Sequence, residues 1–198
     1  MLSISDNVVN EIIIKKSRFI TFLYRVDDID SINDYLSDLN KKYSDATHIC
    51  YAYILDNVKR FNDNGEPGGT AGMPILNVLE SKDLNHVLCC VVRYFGGIKL
   101  GANGLVRAYS NSCNEAVQCS NITNLSIGKL CSVSFKYDDT KIIDSLLKDS
   151  IIIDKKYDSV VSYIFKISSD QLLQINSELS KYGEVNILGD CFIEKKAS

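Results

Sequence analysis

The sequence predicts an α+β protein of two domains, residues 1–124 and 125–198. Three observations carry this. The second half alternates short apolar runs with helical periods in the order βαββαβ, which is the ferredoxin-like arrangement. The first half opens on two adjacent runs rich in Ile, Phe and Tyr and continues as mixed strands and helices. Between them, residues 121–128 are polar and end in Gly128, as expected of a joint too short to free the domains from one another.

Taken in order, 11–15 and 18–26 read as strands of a hairpin with Lys16-Ser17 at the turn. Residues 30–43 place Ile32, Tyr35, Leu36 and Leu39 at helical spacing, with Asp30 or Ser31 as N-cap. Alternation over 48–55 continues the sheet. Pro74 suits the first turn of a short helix ending near Ser81, and 87–94 is apolar enough for a central strand. A long helix spans about 103–118. In the second half, strands are expected at 130–137, 151–155, 160–167 and 185–193, with helices at 139–148 and 170–182.

Hydrophobic content of 45% and charged content of 24% are those of a soluble globular protein. The sequence has no apolar run near the ~20 residues of a membrane span and no signal-peptide pattern at its acidic start, which predicts a cytoplasmic protein. Seven cysteines, an odd number without CxxC spacing, and two histidines argue against structural zinc and for reduced thiols. Residues 1–124 hold 12 basic and 14 acidic residues and 125–198 hold 10 and 11, so neither half is a polycation. Any phosphate contact must come from a local patch. All five arginines, at 18, 25, 60, 93 and 107, lie in the first half, which points to Arg93 and Arg107 as forked anion ligands.

Eight of the eleven glycines fall within 61–109, in the strings GEPGGTAG (65–72) and RYFGGIKLGANGLVRAY (93–109). Glycine concentrated beside Asp63, Glu66, Arg93, Lys99 and Arg107 marks a built surface rather than isolated turns. The site loop is Asp63, Gly65, Glu66, Gly68, Gly69 and Thr70. The anion-binding residues are Arg93, Lys99, Gly101, Asn103, Gly104 and Arg107, because a helix start offers unpaired N–H groups and the positive end of its dipole. Asn103 is expected to cap that helix. Arg107, on the same helix face, either supports a phosphate or pairs with Asp63 or Glu66. The two carboxylates could serve a cation or act as acid and base, or simply bond glycine N–H groups; with no third acidic ligand nearby, no metal is expected. Tyr51, Tyr53, Tyr94 and Tyr109 are candidates for base stacking or for the core. Phosphate-loop, dinucleotide, GxSxG and HExxH signatures are absent.

The run from His48-Ile-Cys-Tyr-Ala-Tyr through Asn62-Asp-Asn-Gly-Glu-Pro-Gly-Gly-Thr-Ala-Gly and Val92-Arg-Tyr-Phe-Gly-Gly-Ile-Lys-Leu-Gly to Gly104-Leu-Val-Arg-Ala-Tyr resembles the signature of the YigZ/IMPACT family, as does Ile14-Lys-Lys-Ser-Arg-Phe-Ile. The resemblance covers essentially the whole chain and implies a bacterial-type member. It implies a first domain folded like the second domain of a small-subunit ribosomal protein and the fourth domain of elongation factor G. It implies a second domain like that factor's last. Asn64 and Asn103 depart from the family's usual Asp and Gly, and Asn103 fits if it takes left-handed geometry.

The family is associated with translation control, so the resemblance implies a translation-associated regulator that binds RNA or the ribosome through the glycine-rich surface, without a cofactor. A protein partner is compatible with it. An enzyme acting on a phosphorylated small molecule and a protein-interaction module are the alternatives, with catalysis left open and no catalytic residue assigned.

Overall fold

A computed structural model describes residues 1–195 and divides the chain into two compact units, Met1–Asn124 and Leu125–Ser198. The fold is mixed α and β, with a sheet in each unit.

In the first unit, Val8–Ile14 (β2) and Ser17–Arg25 (β3) form the expected hairpin after a short Leu2–Ile4 strand (β1). The turn is Lys15-Lys16 rather than Lys16-Ser17, with φ of 45° and 66°. Ser17 instead faces inward as the first residue of β3 and is fully buried. Two consecutive positive φ angles match the twist of a two-residue hairpin, although lysine adopts them at a cost that Gly or Asn escapes.

Ile29–Lys42 forms α1, capped by Asp28, whose Oδ1 accepts from Ser31 N–H at 2.7 Å; Asp30 lies inside its first turn and Ser31 is the donor, so neither is the cap. His48–Leu55 (β4) pairs with Val58–Asn62 (β5), an edge strand that the hydrophobic pattern does not show. Its exposed Lys59 and Arg60 disguise it, yet charge is what an open sheet edge tolerates. Gly72–Ser81 (α2), Val87–Tyr94 (β6) and Ala102–Gln118 (α3) complete the unit.

The sheet order is β2-β3-β6-β4-β5, antiparallel throughout. Central β6 is buried on both faces. Val87, Cys89 and Val91 join the core beneath α2 and α3, while Leu88, Cys90 and Val92 join the core that contains Ile32 and Leu39 of α1. Each such buried aliphatic side chain contributes about 1.5–3 kcal/mol, which makes β6 the strand around which the layers assemble.

In the second unit, Ile122–Phe135 (β7), Thr140–Leu146 (α4), Ile151–Tyr157 (β8), Val161–Ser168 (β9), Ser169–Tyr182 (α5) and Gly183–Lys195 (β10) follow the βαββαβ order. The strands lie β10-β7-β9-β8, the ferredoxin-like order. Cys131, Val133 and Phe135 of β7 and Val161, Tyr163, Phe165 and Ile167 of β9 face a core completed by Ile143, Leu172 and Leu179. Residues 121–128 are not a loop: β7 starts at Ile122, and its residues 122–124 pair with β1 inside the first unit. Polar composition hides this strand because its backbone, not its side chains, makes the pairing. No helix among the described residues is long and apolar enough to cross a membrane.

Candidate functional site

The loop between β5 and α2 is organised by Asp63. Its Oδ2 accepts from Gly69 N–H at 2.8 Å, and its Oδ1 from Ala71 and Gly72 N–H at 2.9 and 2.8 Å. These amides surround the start of α2, where Ala71 has no capping side chain, so Asp63 caps the helix from eight residues away. Gly72 is required for a second reason. A Cβ there would lie 2.8 Å from the Asn62 backbone.

Glu66 points the other way, into the unit. Its carboxylate pairs with the Arg93 guanidinium and accepts from the Tyr109 hydroxyl at 2.8 Å, with side-chain exposures of 3% for Glu66 and 6% for Arg93. The first glycine string thus meets both ends of the second: Arg93 lies on β6 and Tyr109 on α3. Arg93 continues the Cys89–Val91 side of β6, which turns it toward α3, and its guanidinium lies over the Phe19 ring at 5.4 Å and the Phe95 ring at 5.7 Å. Cys50 Sγ sits 2.9 Å from Asp63 O and 3.4 Å from Tyr109 Oη. Burial pushes the Cys50 thiol up to about 12 and the Tyr109 hydroxyl still further up. At neutral pH both are protonated, which suits Cys50 to packing and Tyr109 to donating into Glu66. His48 Nδ1 lies 2.9 Å from Asn64 O, and its Nε2 lies 3.9 Å from Glu66 Oε2.

Several expectations therefore change. Arg93 is an internal partner, not a surface anion ligand. Asp63 and Glu66 are satisfied by backbone amides and by Arg93 and Tyr109, so Arg107 is not their partner. Gly101, at φ 73°, precedes α3 as its N-cap, and Asn103 lies within the first turn with no capping role and no left-handed geometry. The left-handed Asn is Asn64, at φ 40°, whose Nδ2 donates to Ile49 O at 2.9 Å. Thr70 is buried, its hydroxyl donating to Pro67 O at 2.6 Å, while Gly65 and Gly69 hold φ of 86° and 75°. Gly68 is exposed with open space around it. Tyr109 belongs to the core.

Lys99, Gly101, Asn103 and Arg107 stay outside. All are exposed, Gly104 is half-buried, and neither Lys99 nor Arg107 has an ion-pair partner among the described residues. Two further exposed cations, Lys15 and Lys16, lie toward the start of α3. The α3 ring of Tyr109 meets Phe19 edge-on at 5.3 Å, and one turn later the Ser112 hydroxyl bonds that of Thr21, so α3 runs beside β3 in the same direction. From Tyr109 back to the helix start is about 10 Å, and from Phe19 back to the hairpin turn is also about 10 Å. The start of α3 is therefore level with the exposed Lys15-Lys16 turn. The loop after β6 also abuts this turn, since any Cβ on Gly96 would overlap the Lys16 carbonyl group. Residues 12–26 and 84–114 contain no acid, and β3–β6 pairing sets these two stretches side by side. The signal for Lys15 and Lys16 was present as this gap in acids, not as a motif. No group of three His, Cys, Asp or Glu side chains suited to a metal occurs among the described residues.

Residues 15–117 match the family model for the Impact N-terminal domain. The IMPACT family member YvyE of Bacillus subtilis (strain 168) is 39% identical over 144 residues, 71% of this chain and 66% of its own length. An IMPACT family member of Haemophilus influenzae is 32% identical over 181 residues, 88% of each chain. The IMPACT family member YigZ of Escherichia coli (strain K12) is 31% identical over 176 residues, 85% of this chain and 86% of its own. A crystal structure described as that of a hypothetical protein superposes with a TM-score of 0.69 at 29% identity, covering 98% of each chain. The matched segment holds both glycine strings, the buried Glu66–Arg93 pair and the outward cations, and with relatives covering most of the chain it establishes that this protein belongs to the IMPACT family.

Proposed function

We propose that this chain is a cytoplasmic regulator of translation that binds RNA or the ribosome through the surface formed by Lys15, Lys16, Lys99, Arg107 and the start of α3. The observation that carries the reading is that Lys15, Lys16, Lys99 and Arg107 are exposed and without ion-pair partners among the described residues, in two acid-free stretches that Gly96 brings together at the Lys15-Lys16 turn, in a chain of net charge -3. Exposed cations held together by packed backbone retain their charge for a polyanion instead of spending it internally. The family resemblance supplies the link with translation. Gly101 and Gly104 serve by letting a phosphate approach the amides of α3.

The enzymatic alternative loses its base: Asp63 is saturated by amides and Glu66 is buried in an ion pair. The cavity of about 580 Å³ lined by Lys148, Asp149, Asp170 and Glu194, among others, lies in the second unit and includes neither carboxylate.

The test is binding of a labelled mixed-sequence oligoribonucleotide, and of purified ribosomes, to the full chain across a salt series, with Lys99→Gln and Arg107→Ala variants. Each variant should weaken binding and reduce the salt slope by about 0.7 for every single-strand phosphate that it no longer neutralises. Melting temperatures should hold, because both side chains are exposed and without partners among the described residues. Unchanged affinity and slope in both variants would remove this surface from the function.

A further inference from the structure

Phe95 directly precedes Gly96, the residue packed against the Lys15-Lys16 turn. Its side chain is 45% exposed, yet its position is held closely. Its N–H donates to Thr47 Oγ1 at 3.0 Å, and the next N–H, of Gly96, donates to Ser17 Oγ at 3.1 Å. The Arg93 guanidinium lies 5.7 Å from its ring centroid, and Arg93 is itself fixed by Glu66. An aromatic ring held at its backbone, with a buried cation beside it, is pre-ordered and loses little entropy when a second flat group covers its exposed part.

The neighbours say what that flat group is. Phe95 and Gly96 follow directly on β6, Gly96 touches the Lys15-Lys16 turn, and Lys99 comes three residues later. Sequence-tolerant recognition of an unpaired strand combines a positively charged track for the phosphates with an aromatic face for a base. A duplex presents no free base face, so it would meet the cations alone.

We propose that Phe95 is a stacking platform for an unpaired nucleobase, with Lys15, Lys16, Lys99 and Arg107 holding the flanking phosphates. This rests on the nucleic-acid reading above and narrows it to single-stranded RNA or unpaired loops. The other strongly exposed phenylalanine of the first unit, Phe61, lies on β5, two strands (roughly 10 Å) from β6 and level with Cys89, six residues before Phe95. It serves as an internal control.

The experiment compares a single-stranded RNA carrying 2-aminopurine with a fully paired duplex of the same length, both titrated with the full-length protein. The single strand should bind more tightly, and its 2-aminopurine fluorescence should be quenched on binding. Phe95→Leu should weaken single-strand binding on the order of tenfold and abolish the quench, with duplex binding unchanged. Phe95→Trp should restore both, and Phe61→Leu should alter neither. Equal affinity for the two probes with an indifferent Phe95→Leu would overturn the stacking proposal; if Lys99→Gln and Arg107→Ala still weakened binding, the phosphate-binding surface would survive it. A failure of every variant to matter would remove both.

Discussion

Replacing Glu66 by Gln asks whether a buried ion pair joins the two glycine strings. With 3% and 6% of their side chains exposed, Glu66 and Arg93 cannot regain water when the partner's charge is removed. Deleting one charge from such a pair costs about 3–5 kcal/mol. Glutamine keeps a carbonyl acceptor for Tyr109 and nearly the same volume, so the loss reports charge rather than packing. In a unit the size of Met1–Asn124, 1 kcal/mol moves the melting temperature by roughly 4 °C, which makes the expected fall about 12–20 °C. Arg93→Met keeps an apolar stem beside Phe19 and Phe95 but strands the carboxylate, at a similar cost. The double variant buries neither charge and should recover at least about 2 kcal/mol relative to the summed single losses. Thermal and urea unfolding of the four proteins measures this cycle. Single losses below about 1 kcal/mol, or a double variant equal to the sum, would show that the strings are not held together by this pair.

Gly96→Ala should destabilise the first unit, reversing the gain of about 0.4–1 kcal/mol that alanine brings at an unconstrained glycine site, because the new methyl group overlaps the Lys16 backbone; unfolding that matches wild type would mean that the loop and turn do not touch. Iodoacetamide at about pH 8.5 should label exposed Cys119 quickly and spare Cys50, whose thiol is pushed up to about 12 from an ordinary value of 9.0. The folded value is raised, so the stability tied to this group is complete below about 9 and is lost as pH rises through about 12. Mass spectrometry of the labelled peptides, together with alkaline unfolding monitored by circular dichroism, checks both halves of that expectation; rapid labelling of Cys50 would contradict its burial.

What the sequence disclosed and what it withheld follow from the range of the interactions involved. Hydrophobic period alone located β4 and β6, because each strand alternates or is buried on both faces within eight residues. The ferredoxin-like order was legible for the same reason. The β1 and β5 strands were not, since three residues in one and two basic residues in the other give no apolar alternation; β1 exists because a distant partner, β7, offers backbone groups, and β5 because its hairpin neighbour β4 does. At the site, the glycine strings and their charges were visible, but which arginine pairs with Glu66 was not. Spacing along the predicted helix favoured Arg107, whereas the period of β6 places Arg93 in phase with Cys89 and Val91, on the inward side. Strand phase, followed one residue past the apolar run, contained that answer.

The acidic total and the cationic surface are compatible because charge acts locally in salt water. Exposed charges interact appreciably only within about 8 Å at physiological ionic strength, so 25 acids spread over the chain oppose a ligand only where they are near it. The chain keeps most of them away in two steps, with Asp45 bonded to Tyr94 and Glu11 paired with Arg18 at the margin. It leaves 12–26 and 84–114 without acids, and it pairs β3 with β6 so that the two gaps become one region. The acid that does reach toward this region from the other glycine string, Glu66, is neutralised internally by Arg93 and covered by Tyr109. Arg93 thereby does more than hold a loop: without it, a buried carboxylate would stand behind Phe95 and weaken the positive field of the outer lysines. The inner ion pair and the outer cations are consequently two parts of one electrostatic arrangement.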